Sequence, residues 1–181
     1  MHGLVSLLPQ PYHQQVENIW KILETQFNLI GFLVSPIPHF SWQIAEQYDQ
    51  ELLAETVTKI SQTIPPLQIR TGGIGLFTGI RQVIYIPIIK DCHLIKVHEQ
   101  IWQAVEPHAK ALSPLYGPDM WVPHITLVHE NLTPENIGPI MTFLASETYQ
   151  WEFRIDQLVL ISDSAAEDSK LQIKARYPLL G

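Results

Sequence analysis

The 181-residue chain reads as an α+β domain. Apolar residues recur at helical spacing in four stretches and as alternating or short β-branched runs in several others. The two kinds of segment mix without the regular strand–helix alternation of a doubly wound sheet. Each half also has a helix before and a helix after a strand that begins near a histidine, which is the pattern of a degenerate duplication. The length suffices for one domain with a sizeable core and room for two lobes.

Leu4 to Leu8 is a short apolar run ended by Pro9 and Pro11, a first strand. From Tyr12 to Phe27, Val16, Ile19, Trp20, Leu23 and Phe27 fall three or four apart and predict an amphipathic helix. Gly31 to Pro38 is proline-punctuated, hence extended or looped, and leads into a strand holding His39 and Ser41. Asp49 to Ile64 is a second helix stopped by Pro65 and Pro66. Leu67 to Thr71 reads as a strand, and Thr71 to Gly79 as a bulged turn or strand end, since its glycines lack dinucleotide-loop spacing. Gln82 to Ile89 is a strand, Cys92 to Leu112 a third helix, and Leu115 to Met120 a loop before the second histidine strand. Thr133 as N-cap and Pro134 at the first helical position open a fourth helix to Ala145. Trp151 to Ser162 and Lys170 to Leu179 are two last strands, joined by the acidic loop from Asp163 to Ser169.

A formal net charge of −7 argues against broad electrostatic capture of long nucleic acid, yet leaves room for a small phosphate substrate held by a few groups. No apolar run approaches a membrane span, and Met1 to Pro9 lacks the pattern of a signal peptide. The single Cys92 excludes an intramolecular disulfide and suits a reducing compartment. The expectation is a cytoplasmic monomer without a membrane partner.

The chemistry concentrates in two tetrapeptides. His39-Phe40-Ser41-Trp42 and His124-Ile125-Thr126-Leu127 each read His, apolar, hydroxyl, apolar, and their histidines stand 85 positions apart. With this composition, chance supplies about 0.2 copies of the pattern per chain, and two copies in roughly 1–2% of chains. In a strand, alternate side chains share a face, so each motif points an imidazole and a hydroxyl the same way. The other six histidines do not fit the pattern. No His-x-x-x-His or His-Glu-x-x-His spacing exists and Cys92 has no cysteine partner, so no metal site is expected.

These motifs resemble those of the 2H phosphoesterase superfamily, within it the LigT-like group of RNA 2′,3′-cyclic phosphodiesterases and 2′-5′ RNA ligases. The Gly73 to Phe77 segment before the apolar Val83 to Pro87, and the endings Leu158 to Ser162 and Tyr177 to Leu179, are similar to the family's text too. The first motif departs in carrying Ser41, which the family allows, and bulky Trp42. The resemblance implies a bilobal α+β fold with pseudo-two-fold symmetry: two antiparallel sheets line a cleft, with helices outside. The histidines would face each other across it, with no metal and no cofactor.

Opening a cyclic phosphodiester requires an attacking hydroxyl to lose a proton and a leaving oxygen to gain one. Two imidazoles on opposite sides of phosphorus can do both, because they titrate near neutral pH. His39 and His124 are thus the candidate acid–base pair. Ser41 and Thr126 are candidate donors to the non-bridging oxygens. Phe77 and Trp121 are candidate base-stacking residues or core aromatics. Lys174 and Arg176, alternating with Lys170 and Gln172, form either a phosphate-guiding stripe or a solvated face, and Arg70 and Arg81 flank the Gly-Phe segment. The expected activity is opening of 2′,3′-cyclic phosphates on small RNA ends or nucleotides. A 2′-5′ ligase and a non-catalytic nucleotide- or RNA-binding module are the alternatives.

Overall fold

A computed structural model of the chain describes residues 2–31, 35–163 and 171–181. Ten strands and four α-helices occur among them, in the order β1 (His2–Leu7), α1 (Tyr12–Phe27), β2 (His39–Tyr48), α2 (Gln50–Ser61), β3 (Leu67–Arg70), β4 (Gly75–Phe77), β5 (Val83–Pro87), α3 (Cys92–Val105), β6 (Ala109–Leu112), β7 (His124–His129), α4 (Ile137–Ala145), β8 (Glu152–Ile155), β9 (Gln157–Asp163) and β10 (Leu171–Pro178). The fold is α+β. No helix among the described residues is long and apolar enough to cross a membrane.

Spacing and caps account for the helices. α1 buries Val16, Ile19, Trp20 and Leu23, one stripe of a 3.6-residue period. Asn28 ends it in the left-handed region at φ 53°, its N–H turned back to Glu24 O. Asp49 caps α2 by accepting from Leu52 N, and Asp91 caps α3 by accepting from Leu94 N at 2.8 Å.

Four boundaries differ from the sequence reading. The third helix was expected to reach Leu112 but ends at Val105, because Pro107 lacks the N–H that would extend it. Ala109–Leu112 instead lies along β2 as an edge strand, with Ala111 at φ 51°. The fourth helix begins at Ile137 and not at Thr133. Thr133 and Asn136 close a separate turn with reciprocal side-chain bonds, Asn136 N–H to Thr133 Oγ1 at 3.2 Å and Thr133 N–H to Asn136 Oδ1 at 2.7 Å. The single strand expected from Trp151 splits at Asp156 into β8 and β9, which serve different sheets. The segment from Thr71 contains the short strand β4. Lys170 and positions 164–169 of the expected acidic loop, with 32–34 of the stretch before His39, lie outside the described residues.

The strands form a five-stranded sheet, β10-β9-β1-β2-β6, a three-stranded one, β4-β5-β7, and the pair β3-β8, where two sheets were expected. Buried Thr71 joins the two smaller pieces. It bridges Ile88, donates its hydroxyl to Tyr149 O at 2.6 Å and accepts from Trp151 N at 3.0 Å.

The topology repeats. The run β1-α1-β2-α2-β3-β4 recurs as β5-α3-β7-α4-β8-β9, with β6 inserted and β10 appended. β1 pairs with β2 and β9, as β5 pairs with β7 and β4, and β3 pairs with β8 across the two halves. The helices are exchanged: α1 packs behind β7 and α3 behind β2. One continuous core, holding Phe40, Trp42, Trp121 and Ile125, lies between these layers.

Candidate active site

The two motifs begin their strands in the same way. Each histidine follows an apolar residue and a proline: Ile37-Pro38-His39 and Val122-Pro123-His124. Proline holds the entry extended and needs no ladder bond there. The carbonyl two residues before each imidazole then lies against its ring: His39 Nδ1 is 2.6 Å from Ile37 O and His124 Nδ1 is 2.6 Å from Val122 O. A carbonyl oxygen can only accept, so both Nδ1 atoms carry a hydrogen. Nε2 is therefore the nitrogen that gains and loses a proton in each ring. The next bonds repeat as well, Leu8 N–H to Pro38 O and Ile88 N–H to Pro123 O.

Register repeats too. His39 lies opposite Leu7 and Ser41 opposite Val5; His124 lies opposite Pro87 and Thr126 opposite Tyr85. Directly after each hydroxyl residue the ladder skips one position, Trp42 in β2 and Leu127 in β7. A bulge there ends the alternation after the histidine and the hydroxyl residue and re-aims the rest of the strand. Up to that point the expected alternation is observed: His39, Ser41, His124 and Thr126 are half-buried, while Phe40 and Ile125 are fully buried.

β2 and β7 touch, and the imidazoles sense each other across the contact. Burial lowers the pKa of His39 below the ordinary histidine value, opposed by the bond to Ile37 O, and a positive charge on His124 lowers it further. Burial likewise lowers His124, opposed by the bond to Val122 O. Both rings are thus poised neutral near pH 7 before any anion arrives.

Phe77 stands at the site, edge-on to His124 with centroids 5.0 Å apart. It stacks at 4.1 Å on Tyr85, whose ring is 5.1 Å from His124. Gly75 makes room for this pair, since a Cβ there would collide with the Tyr85 ring. Tyr85 was not singled out from sequence; only the β5–β7 register, which sets it opposite Thr126, reveals it.

Trp121 is elsewhere. It is 2% exposed, sandwiched by His98 at 3.8 Å and Trp42 at 5.5 Å, and its Nε1–H donates to Ser41 O at 2.9 Å. It supports the strand from behind as a core aromatic and is not available to stack a base. Trp20 does the same for the second motif, donating to Thr126 O at 3.3 Å. Lys174 and Arg176 sit on edge strand β10, three strands from β2, and bond to Gln172 and Gln157. A bulge at Lys174 breaks the alternation read from sequence, so the positions do not form one regular stripe. Arg70 approaches Asp91 at 3.9 Å, and Arg81 is exposed in the β4–β5 turn. Among the described residues no three His, Cys, Asp or Glu converge as metal ligands.

Comparison with known proteins fits this geometry. Sequence comparison with curated proteins gives no match. Solved structures similar in fold over nearly the whole chain include the following three. TT0787 of Thermus thermophilus has a TM-score of 0.68 at 15% identity, covering 99% of this chain and 98% of that one. LigT of E. coli, complexed with 3′-AMP, has a TM-score of 0.59 at 13% identity with the same coverage. Usb1 of Kluyveromyces marxianus has a TM-score of 0.52 at 13% identity, covering 98% of each chain. The model of the 2′-5′ RNA ligase superfamily matches residues 9–167. The chain therefore belongs to the 2′-5′ RNA ligase superfamily, whose members are 2H phosphoesterases.

Proposed function

We propose that the protein opens 2′,3′-cyclic phosphates of nucleotides or short RNA ends by acid–base catalysis between His39 and His124. The observation that carries this reading is the matched pair of Nδ1 locks on two strands that touch, β2 and β7, which leaves the Nε2 of each ring as the nitrogen that exchanges protons. The complex of LigT with 3′-AMP supports a ligand of nucleotide size.

In the proposed step one neutral Nε2 takes a proton from water as its oxygen bonds to phosphorus. The bond from phosphorus to the 3′ oxygen breaks, and the other imidazole, protonated, gives its Nε2 proton to that oxygen. A 2′-phosphate results, and the total proton count is unchanged. Ser41 and Thr126 donate to the non-bridging oxygens as their charge grows. Since burial leaves both rings neutral, the incoming phosphate anion is what favours protonation of one of them. Phe77 is the base-stacking candidate.

The test is turnover of a nucleoside 2′,3′-cyclic phosphate by His39→Ala and His124→Ala. Each should lose about 10²–10⁴-fold in rate with the fold intact. Near-wild-type turnover in either would overturn the pairing. The family also supports a second reading, 2′-5′ ligation, the same ring opening with an RNA 5′ hydroxyl as the attacking group in place of water; joining of RNA ends by the purified protein would reveal it.

A further inference from the structure

Two prolines flank Ile37, the residue whose carbonyl locks the His39 ring: Pro36-Ile37-Pro38. The matching segment before His124 is Trp121-Val122-Pro123, with one proline only. Proline fixes its own φ and holds the residue before it extended. The chain entering Ile37 is thus restrained by a ring, whereas the chain entering Val122 has to be held by contacts.

Those contacts are in place. The Trp121 ring lies between His98 and Trp42, and the Trp121 N–H donates to Gly117 O at 2.9 Å. His98 is itself fixed, since Nε2 faces Trp42 O at 3.2 Å and Tyr116 O at 3.1 Å. Both are acceptors, so that nitrogen carries the hydrogen. Beyond the lock, Ile88 N–H donates to Pro123 O at 3.0 Å. Between these two anchors the Lys90 ammonium donates to Trp121 O at 2.8 Å. That oxygen belongs to the peptide that runs into Val122, and the next carbonyl, Val122 O, is the one 2.6 Å from His124 Nδ1. Ile88 and Lys90, just past β5, therefore grip the carbonyls on either side of the lock. In the first half, Leu8 N–H to Pro38 O repeats the Ile88 bond. The position two further on is Gln10, and among the described residues no bond joins it to Pro36 O.

We propose that Lys90 is a positioning residue for His124, fixing the peptide before Val122 and so the carbonyl that holds the His124 ring, in the place that a second proline takes before His39. Without the Lys90 bond the Trp121–Val122 peptide can turn, and the Val122 carbonyl turns with it. The His124 ring then loses the acceptor that keeps its hydrogen on Nδ1. A neutral ring with its hydrogen on Nε2 cannot accept a proton there. The Lys90 charge reaches His98, whose pKa it lowers, whereas the shift at His124 comes from burial and the Val122 bond; the effect on His124 is carried by geometry.

The kinetic arm of the test rests on the phosphodiesterase reading, and a spectroscopic arm does not. Lys90→Met removes the donor and keeps an unbranched stem; Lys90→Arg keeps a donor. In the spectroscopic arm, the imidazole nitrogens of the substrate-free protein are followed by NMR. In Lys90→Met the His124 Nδ1–H should exchange with water about two- to fivefold faster, the size of one modest hydrogen bond, and the ring should shift toward the other tautomer. His39 Nδ1–H should keep its rate, and Lys90→Arg should restore His124. In the kinetic arm, kcat on a nucleoside 2′,3′-cyclic phosphate should fall by a similar factor in Lys90→Met with KM little changed, and recover in Lys90→Arg. Unchanged exchange at His124, or equal acceleration at both histidines, would overturn the proposal. Faster exchange at His124 alone, in a protein whose wild type turns over no cyclic phosphate, would uphold it and refute the phosphodiesterase reading instead.

Discussion

His98 should make the fold acid-labile, and the size of the effect can be worked out. The side chain is 1% exposed, and burial pushes its pKa from 6.5 down to about 4, with the Lys90 charge adding to the drop and the two carbonyl bonds opposing it. The unfolded chain therefore binds more protons than the folded one between those values. Stability from the neutral ring is fully present above pH 6.5 and is lost as pH falls toward 4. For one such group the loss is about 2 kcal/mol by pH 5 and roughly 3 kcal/mol by pH 4. In a domain of this size that corresponds to about 6–12 °C in melting temperature. His98→Gln removes the titration and keeps a donor for Trp42 O and Tyr116 O. At about pH 7.5 the variant should be less stable by about 1–3 kcal/mol, through lost stacking on Trp121 and poorer hydrogen bonds. As pH falls, the gap should close by roughly 3 kcal/mol, because only the wild type has an imidazole to charge at that position. Urea unfolding of both proteins at half-unit steps from about pH 7.5 to 4 measures the gap directly; the other histidines are common to both and cancel. A constant gap across that range would refute the assignment of a neutral, buried His98.

Three further outcomes are expected. Because burial lowers both His39 and His124, the singly protonated free enzyme is most populated below pH 6.5; kcat/KM should peak there and fall toward about pH 8, and a plateau reaching that pH would contradict the lowered values. A Cβ on Gly31 would overlap the His129 carbonyl, whereas one on Gly75 would meet the Tyr85 ring. Backbone yields less than a side chain, so Gly31→Ala should lower the melting temperature more, while Gly75→Ala should cost more activity by displacing Phe77 and Tyr85 from His124. Lys174→Glu and Arg176→Glu lie about 14 Å from β2 by strand count, and each should leave KM for a nucleoside cyclic phosphate within about twofold of wild type.

What could be read from the sequence was what depends on local period. His39, Ser41, His124 and Thr126 share faces because strands alternate, and α1 buries the stripe its spacing predicted. The Nδ1 locks were also within reach, since an apolar residue and a proline precede each histidine. The third helix was carried past Val105 because apolar residues continue at a tolerable spacing; Pro107 was the stronger signal. Trp121 could not be assigned a direction from its place beside the motif, because nothing local says whether a ring three residues before a histidine faces the cleft or the core. Tyr85 and His98 matter only through partners far along the chain, in β7 and β2, and pairings of that kind leave no trace in a short window.

The exchange of helices has a consequence for how the molecule can be divided. Trp20, on the first long helix, backs the strand of His124, and His98, on the third, backs the strand of His39. Ile80, fully exposed at the tip between the repeated units, marks the natural place to cut. Either fragment would carry one histidine strand together with the buttress that belongs to the other. Neither piece is self-sufficient, and activity from a nicked or split protein would require the two to reunite.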